Sequence, residues 1–113
     1  YAIMPYGEKV NVRSSNLDVS NTMSPLKMFD YLASSQVIFA TDTSVYKHIL
    51  KNGYNSILIK DGKINKWIEA IDKVKNNSAL KKKLKKNAFK TAKKYTWNSR
   101  LELIEKKFFN YPL

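Results

Sequence analysis

Residues 24–42, SPLKMFDYLASSQVIFATD, decide the predicted fold of this chain. Ser24 suits the cap position of a helix, and Pro25 suits its first turn, where the missing N–H of proline costs no hydrogen bond. An apolar face at helical spacing continues to Ala33. Residues 37–40 then form an unbroken apolar run, which is typical of a strand buried on both faces of a parallel sheet. The stretch therefore predicts a helix that leads directly into a buried strand.

Two more apolar segments flank this unit. Residues 2–6, AIMPY, and 56–59, SILI, predict short buried strands, and residues 7–23 predict a polar loop. Strands that alternate with helices in this order predict a parallel sheet with right-handed crossovers. The expected fold class is α/β, a partial doubly wound parallel sheet followed by C-terminal helices. We expect 1–113 to be a single partial domain whose other strands lie upstream of Tyr1.

After Gly62 the pattern becomes helical throughout. Apolar residues recur at the helical period from Ile64 onward, and Ser78 and Thr96 are predicted to cap two further helices. The same periodicity predicts that the last helix turns its apolar face inward and that both tryptophans belong to the core. The residues in this prediction are Trp67 in the first of these helices and Trp97, Leu101, Ile104 and Phe108 in the last.

The start of the helix after Ser24 is suited to bind a nucleotide diphosphate. The first turn of a helix presents unpaired N–H groups and a positive dipole end, which favour an anion. Leu26 and Lys27 offer backbone donors, Ser24 a hydroxyl and Lys27 an ammonium group. Asp30 follows one turn later, and its carboxylate can accept hydrogen bonds from the diol of a ribose. An ordinary capped helix explains the same residues, so spacing alone leaves both interpretations open.

The segment resembles the donor-binding region of family 4 glycosyltransferases, which often carry SPLKLFEYMASGKPIVASD at this point. The resemblance extends in order along the chain, through ATDTSVYKHILKNGYNSILI to the closing KYTWNSRLELI. It implies the C-terminal, donor-binding region of a retaining enzyme with the two-domain GT-B fold. It also implies a nucleotide-sugar donor, an acceptor glycan or glycolipid, a role in polysaccharide or glycolipid synthesis, and no transfer by this region alone.

The resemblance assigns candidate roles to individual residues. The family's two donor-site glutamates align with Thr22, which is not an acid, and with Asp30, which is expected to hold the ribose. Thr22 and Met23 are therefore candidates for the loop beside the sugar. The family's usual glycine after this helix is replaced by Ser35, which predicts a different loop geometry there.

Composition excludes several other classes of site. The chain has no cysteine and one histidine, His48, so a thiolate metal site and a histidine cluster are excluded. We expect no metal and no cofactor besides the substrate nucleotide sugar. No apolar run approaches the ~20 residues needed to span a bilayer. A cytoplasmic location is therefore expected.

The net charge of +12 is concentrated in residues 79–94, which hold eight lysines and no acid. Such a bias favours anionic partners, although a solvated helix face explains it as well. The alternative function is therefore a basic interaction module that binds nucleic acid or an anionic membrane through this helix. Aromatic residues do not alternate with the lysines as base stacking requires, so a specific nucleic-acid partner is not expected. The same lysines predict peripheral contact of a glycosyltransferase with the inner membrane surface.

Overall fold

The computed structural model describes residues 1–5, 26–60 and 62–109. Three strands, β1 (Ala2–Met4), β2 (Ile38–Thr41) and β3 (Ile57–Ile59), form a parallel sheet in the order β1-β2-β3. Ala2 aligns with Ile38 across the first pair and Phe39 with Ile57 across the second. The α/β class and the parallel sheet predicted from the sequence are thus confirmed.

The helices follow the strands in alternating order. α1 (Leu26–Ala33) precedes β2, a short α2 (Ser44–Lys47) follows it, and α3 (Ile64–Lys75) and α4 (Ser78–Ala92) follow β3. A 3₁₀ turn (Lys93–Tyr95), α5 (Trp97–Ile104) and a π-helical turn (Glu105–Phe109) complete the described chain.

Helices cover both faces of the central strand, because its side chains alternate between two apolar clusters. Ile38 packs with Met28 and Leu32 of α1, whereas Phe39 packs with Val74 of α3. α4 contributes to both clusters, with Ala88 in the first and Leu84 in the second. All of these side chains are fully buried, as expected for a strand of a parallel sheet with helices on both sides.

α1 ends without the glycine that the family resemblance leads one to expect. Ser35 adopts a left-handed conformation with φ of 54°, donates its N–H to the Leu32 carbonyl, and is followed by a bond from Gln36 N to Tyr31 O. These two bonds are those of a Schellman motif, which normally has glycine at the left-handed residue. The serine therefore adopts the left-handed conformation that this motif requires, and the predicted difference from the family's loop geometry stays a prediction.

The connection from α2 to β3 is held to α4 by a buried polar network. Asn55 accepts a hydrogen bond from Lys51 N (2.8 Å) and donates to Ile49 O and to Thr91 Oγ1 (both 3.0 Å). Asn55 and Ser56 are buried, and the Ser56 hydroxyl also bonds Asn55 Oδ1 (3.2 Å). Since buried polar groups are costly unless paired, this network fixes the loop against α4.

The structure corrects the predicted start of α4. Asn77, not Ser78, occupies the cap position, and its side chain accepts a hydrogen bond from Leu80 N (3.0 Å). Both residue types are good caps, so the sequence could not separate two adjacent candidates. For α5 the prediction is confirmed, because Thr96 Oγ1 accepts from Ser99 N (3.2 Å).

The prediction that α5 faces inward is wrong. Trp97 is 77% exposed, and Leu101, Ile104 and Phe108 are exposed as well. Trp67, by contrast, packs against the buried cluster around Phe39, as predicted. The helical period identified the apolar residues of α5, but none of these four side chains is buried in the described structure.

Candidate functional site

The first turn of α1 lies toward the carboxyl edge of the sheet. A short connection, residues 34–37, joins the end of α1 to the start of β2, so α1 runs antiparallel to the strands. Its first residues are therefore near the edge at which Met4, Thr41 and Ile59 end their strands. Ligands of open parallel sheets bind at this edge.

Two of the predicted site residues, Lys27 and Asp30, are exposed on α1. They are three positions apart and therefore lie on neighbouring turns of one helix face. Neither side chain is paired with an opposite charge within the described part of the chain. Leu26 begins the helix and is 77% exposed, and the first turn contains no acid. The described start of α1 thus offers a cation and backbone amides without a carboxylate in its first turn.

Three other predicted residues cannot be described in the same way. The described residues do not include Ser24, which was predicted to supply a hydroxyl. They also do not include Thr22 and Met23, which were predicted to lie beside the sugar. Their roles stay predictions. His48 is exposed at the end of α2, as expected for a surface residue.

Asp42 is a further acidic residue at the carboxyl edge, which the sequence analysis did not single out. Its side chain is only 8% exposed, and Oδ1 lies 3.1 Å from Nζ of Lys47. Its backbone N–H bonds Ile59 O (2.9 Å), which ties the end of β2 to β3. The available signal was its position directly after a buried strand. Oδ1 makes no hydrogen bond with the described residues, and an ion pair with an exposed lysine is weak, so the structure assigns no role to this carboxylate.

A groove of about 460 Å³ lies between the start of α1 and the C-terminal helices. Phe29 of α1 meets Tyr95 of the 3₁₀ turn, with ring centroids 5.6 Å apart, at one end of this groove. Leu26, Trp97 and Leu103 add apolar walls, and the cations that line it are Lys94 and Arg100. The groove could not be predicted from the sequence, because its walls come from segments far apart in the chain.

The lysine-rich helix is largely solvated, as its periodicity predicted. Leu84 and Ala88 turn inward, and Leu80 and Ala92 are partly buried. The lysines of α4 and the 3₁₀ turn are exposed, apart from Lys81, which is partly buried beside the ring of Tyr1. Nothing in this arrangement favours nucleic acid over another anionic partner.

No group of three or more histidine, aspartate or glutamate side chains in residues 1–5, 26–60 and 62–109 could hold a metal ion. Over the same ranges, none of the helices combines the length and apolar character that crossing a bilayer requires.

Comparison with known families identifies one match. The family model described as "Glycosyl transferases group 1" matches residues 24–91, which is more than half of the chain. The match begins at Ser24 and extends through α1, β2, β3, α3 and nearly all of α4, and β1 lies outside it. A search of curated proteins found no match.

Proposed function

The chain belongs to the group 1 glycosyl transferases, and from this premise we propose that α1 binds the nucleotide diphosphate of a sugar donor. One observation carries the proposal: the first turn of α1, with Lys27 exposed, faces the carboxyl edge of a parallel sheet. The finer assignment is to a retaining, family 4-like enzyme of the GT-B fold, in which this chain is the C-terminal, donor-binding region.

The diphosphate would contact the backbone amides of Leu26 and Lys27, the Lys27 ammonium group and the Ser24 hydroxyl. Unpaired amides and the helix dipole both favour an anion at this position. A charge-assisted hydrogen bond from lysine strengthens the contact. The same donors stabilise the negative charge that grows on the leaving diphosphate during transfer.

Asp30 would hold the ribose of the nucleotide. It is one turn further along the helix, so its carboxylate can lie beside the phosphates rather than against them. The two oxygens of a carboxylate match the two hydroxyls of a vicinal diol. Thr22 and Met23 are proposed to lie beside the donor sugar, and no metal or cofactor is required by these contacts.

The acceptor would come from a separate domain of the complete enzyme. We propose an acceptor glycan or glycolipid, a role in polysaccharide or glycolipid synthesis, and a cytoplasmic location. The chain alone would bind the donor without transferring its sugar, because the acceptor contacts would belong to that separate domain. The separate basic module that the lysine content suggested gains no support from the family match.

An NMR titration with UDP and GDP tests the phosphate assignment. The amides of Leu26 and Lys27 should shift first, because they are proposed to contact the diphosphate. The first turn of α4 is a matched control, since Ser78 and Ala79 begin a helix richer in lysine at the opposite edge of the sheet. Shifts that are equal at both helix starts would indicate unspecific anion binding and contradict the assignment.

The ribose assignment is tested with the variant Asp30→Ala. Loss of a charged hydrogen bond to the diol should weaken binding by about 1.5–3 kcal/mol. Binding of a 2′,3′-dideoxy nucleotide should not change, because it has no diol to lose. Asp72→Ala on α3 is the matched control for the loss of one exposed carboxylate. Equal losses for both nucleotides would exclude Asp30 as the ribose contact.

A further inference from the structure

The Asp42 carboxylate is buried, but its contacts with the described residues leave it without a role. Its side chain is 8% exposed, and Oδ1 makes no hydrogen bond with those residues. The side chain of Lys47, its ion-pair partner, is 58% exposed, so the pair contributes little. A buried polar atom without a hydrogen bond lowers the stability of a fold. Polar groups kept in this state are typical of ligand sites, where the ligand supplies the missing bond.

The pleat of β2 places Asp42 on the side of the sheet that α1 covers. Side chains of β2 alternate, with Ile38 and Ala40 in the cluster that contains α1 and Phe39 in the cluster that contains α3. The extended backbone continues to Asp42, because its N–H bonds Ile59 O (2.9 Å). Asp42 therefore follows Ile38 and Ala40 on the α1 side.

Asp42 and the first turn of α1 lie beyond this cluster at the same edge of the sheet. Met28 of α1 packs in the cluster with Ala40 of β2, and the two elements run antiparallel. Leu26 and Lys27 precede Met28 on α1. Asp42 follows Ala40, and two residues of a strand rise about 7 Å. The carboxylate is thus at the carboxyl edge, on the face where the diphosphate is proposed to bind.

The chemistry of a carboxylate limits the part of a ligand that it can bind. An ionised carboxylate only accepts hydrogen bonds, so its partner must carry donor groups such as hydroxyls. A phosphate is excluded, because two negative charges repel each other. A nucleotide sugar has hydroxyls on its ribose and on its sugar, which lie on opposite sides of the diphosphate. The ribose is proposed to bind Asp30, further along α1 from the carboxyl edge, and this leaves the sugar for Asp42.

We propose that Asp42 binds hydroxyl groups of the donor sugar and thereby contributes to the choice of sugar. The contact rests on the proposed nucleotide-sugar function and adds a sugar-binding residue to it. Because Oδ1 gives up no protein hydrogen bond when the sugar binds, a hydroxyl that reaches it gains the full bond. The nearby Lys47 ammonium, 3.1 Å from Oδ1, limits the repulsion between this carboxylate and the adjacent diphosphate.

The test compares nucleotide sugars with nucleoside diphosphates in NMR titrations of the 113-residue chain and its Asp42→Asn variant. The probes are UDP-glucose, UDP-galactose and GDP-mannose, and UDP and GDP are the matched ligands without a sugar. Asparagine keeps the shape of aspartate and removes its charge. The variant should bind at least one of the nucleotide sugars roughly tenfold more weakly, because a hydrogen bond to a charged group is weakened. Its affinity for UDP and GDP should stay within about twofold of the wild type.

Two further variants separate a ligand contact from an effect on the fold. Lys47→Gln removes the ion pair but keeps the carboxylate, so affinity for the nucleotide sugar should stay within about twofold of the wild type. Asp42→Ala removes a buried carboxylate whose Oδ1 has no hydrogen bond, so the midpoint of thermal unfolding should not fall. The same variant should show the sugar-specific loss of affinity. A lower midpoint would instead indicate a structural role.

Several results would exclude the sugar contact. Equal losses for nucleotide sugars and nucleoside diphosphates in Asp42→Asn would mean that the residue acts on the phosphates or on the fold. Unchanged affinity for all three nucleotide sugars would exclude it directly, and an equal sugar-specific loss in Lys47→Gln would assign the effect to the ion pair. If the amides of Leu26 and Lys27 still shift with UDP or GDP, only the sugar contact is excluded. If they stay still with every ligand, the proposed function fails and the sugar contact fails with it.

Discussion

α3 and α5 have similar sequence patterns but opposite environments. Each has apolar residues at helical spacing and a tryptophan on the apolar face. Trp67 packs with Phe39 and Val74 against the sheet, whereas Trp97 is exposed and contacts the cation of Arg100. The difference shows that periodicity identifies the apolar face of a helix. It does not show whether another surface covers that face.

The physical reason lies in the connections that position each helix. α3 follows an edge strand through a short connection, so it packs back onto the sheet. α5 follows α4 and the 3₁₀ turn, after both faces of β2 are already covered by helices. Both faces of this central strand are therefore closed to α5. The apolar side chains of α5 therefore stay exposed in the described structure.

The largest expected change in stability is at a buried leucine, Leu84, and an exposed leucine, Leu101, provides the comparison. Leu84→Ala should lower the free energy of unfolding by about 2–5 kcal/mol, because it leaves a cavity between α4 and the sheet. Leu101→Ala on α5 should change it by less than about 0.5 kcal/mol. Urea unfolding followed by circular dichroism measures both. Similar losses for the two variants would mean that α5 packs against the core after all.

A smaller effect distinguishes the two helix caps. Asn77→Ala should lower the free energy of unfolding by about 1 kcal/mol, because α4 is part of the cooperative core. Thr96→Ala removes an equivalent cap from α5 but should only increase fraying of that helix. Amide hydrogen exchange at Ser99 should therefore accelerate without a change in global stability. A global loss in Thr96→Ala would contradict the independence of α5.

Effects of about 1 kcal/mol or less are expected at the two residues with a left-handed backbone, Ser35 and Gly53. Ser35→Gly should raise the free energy of unfolding by about 0.5–1 kcal/mol, because glycine adopts the left-handed conformation at φ of 54° without strain. Gly53 has φ of 74° and open space around it, so Gly53→Ala should lower stability by about 1 kcal/mol through strain alone. Thermal unfolding measures both changes. A loss on Ser35→Gly would mean that the serine side chain, which glycine lacks, stabilises the turn.

The candidate donor site was only partly predictable from the sequence. Lys27 and Asp30 were identifiable because a helix repeats locally, so three-residue spacing already puts them on one face. The groove beside α1 was not, because Phe29 and Tyr95 are brought together by the packing of α1 on α4. Asp42 was visible as an acid after a strand, but its burial and its ion pair with Lys47 depend on the fold.

The α/β class, the buried central strand and the periodic apolar positions of the long helices could be predicted from the sequence. These features follow from short-range periodicity, which a chain carries before it folds. The packing of Trp67, the exposure of Trp97 and the burial of Asn55 against Thr91 depend on the three-dimensional arrangement of the elements. The reason is that burial depends on which surfaces meet, and the residues that meet here are separated by tens of positions in the chain.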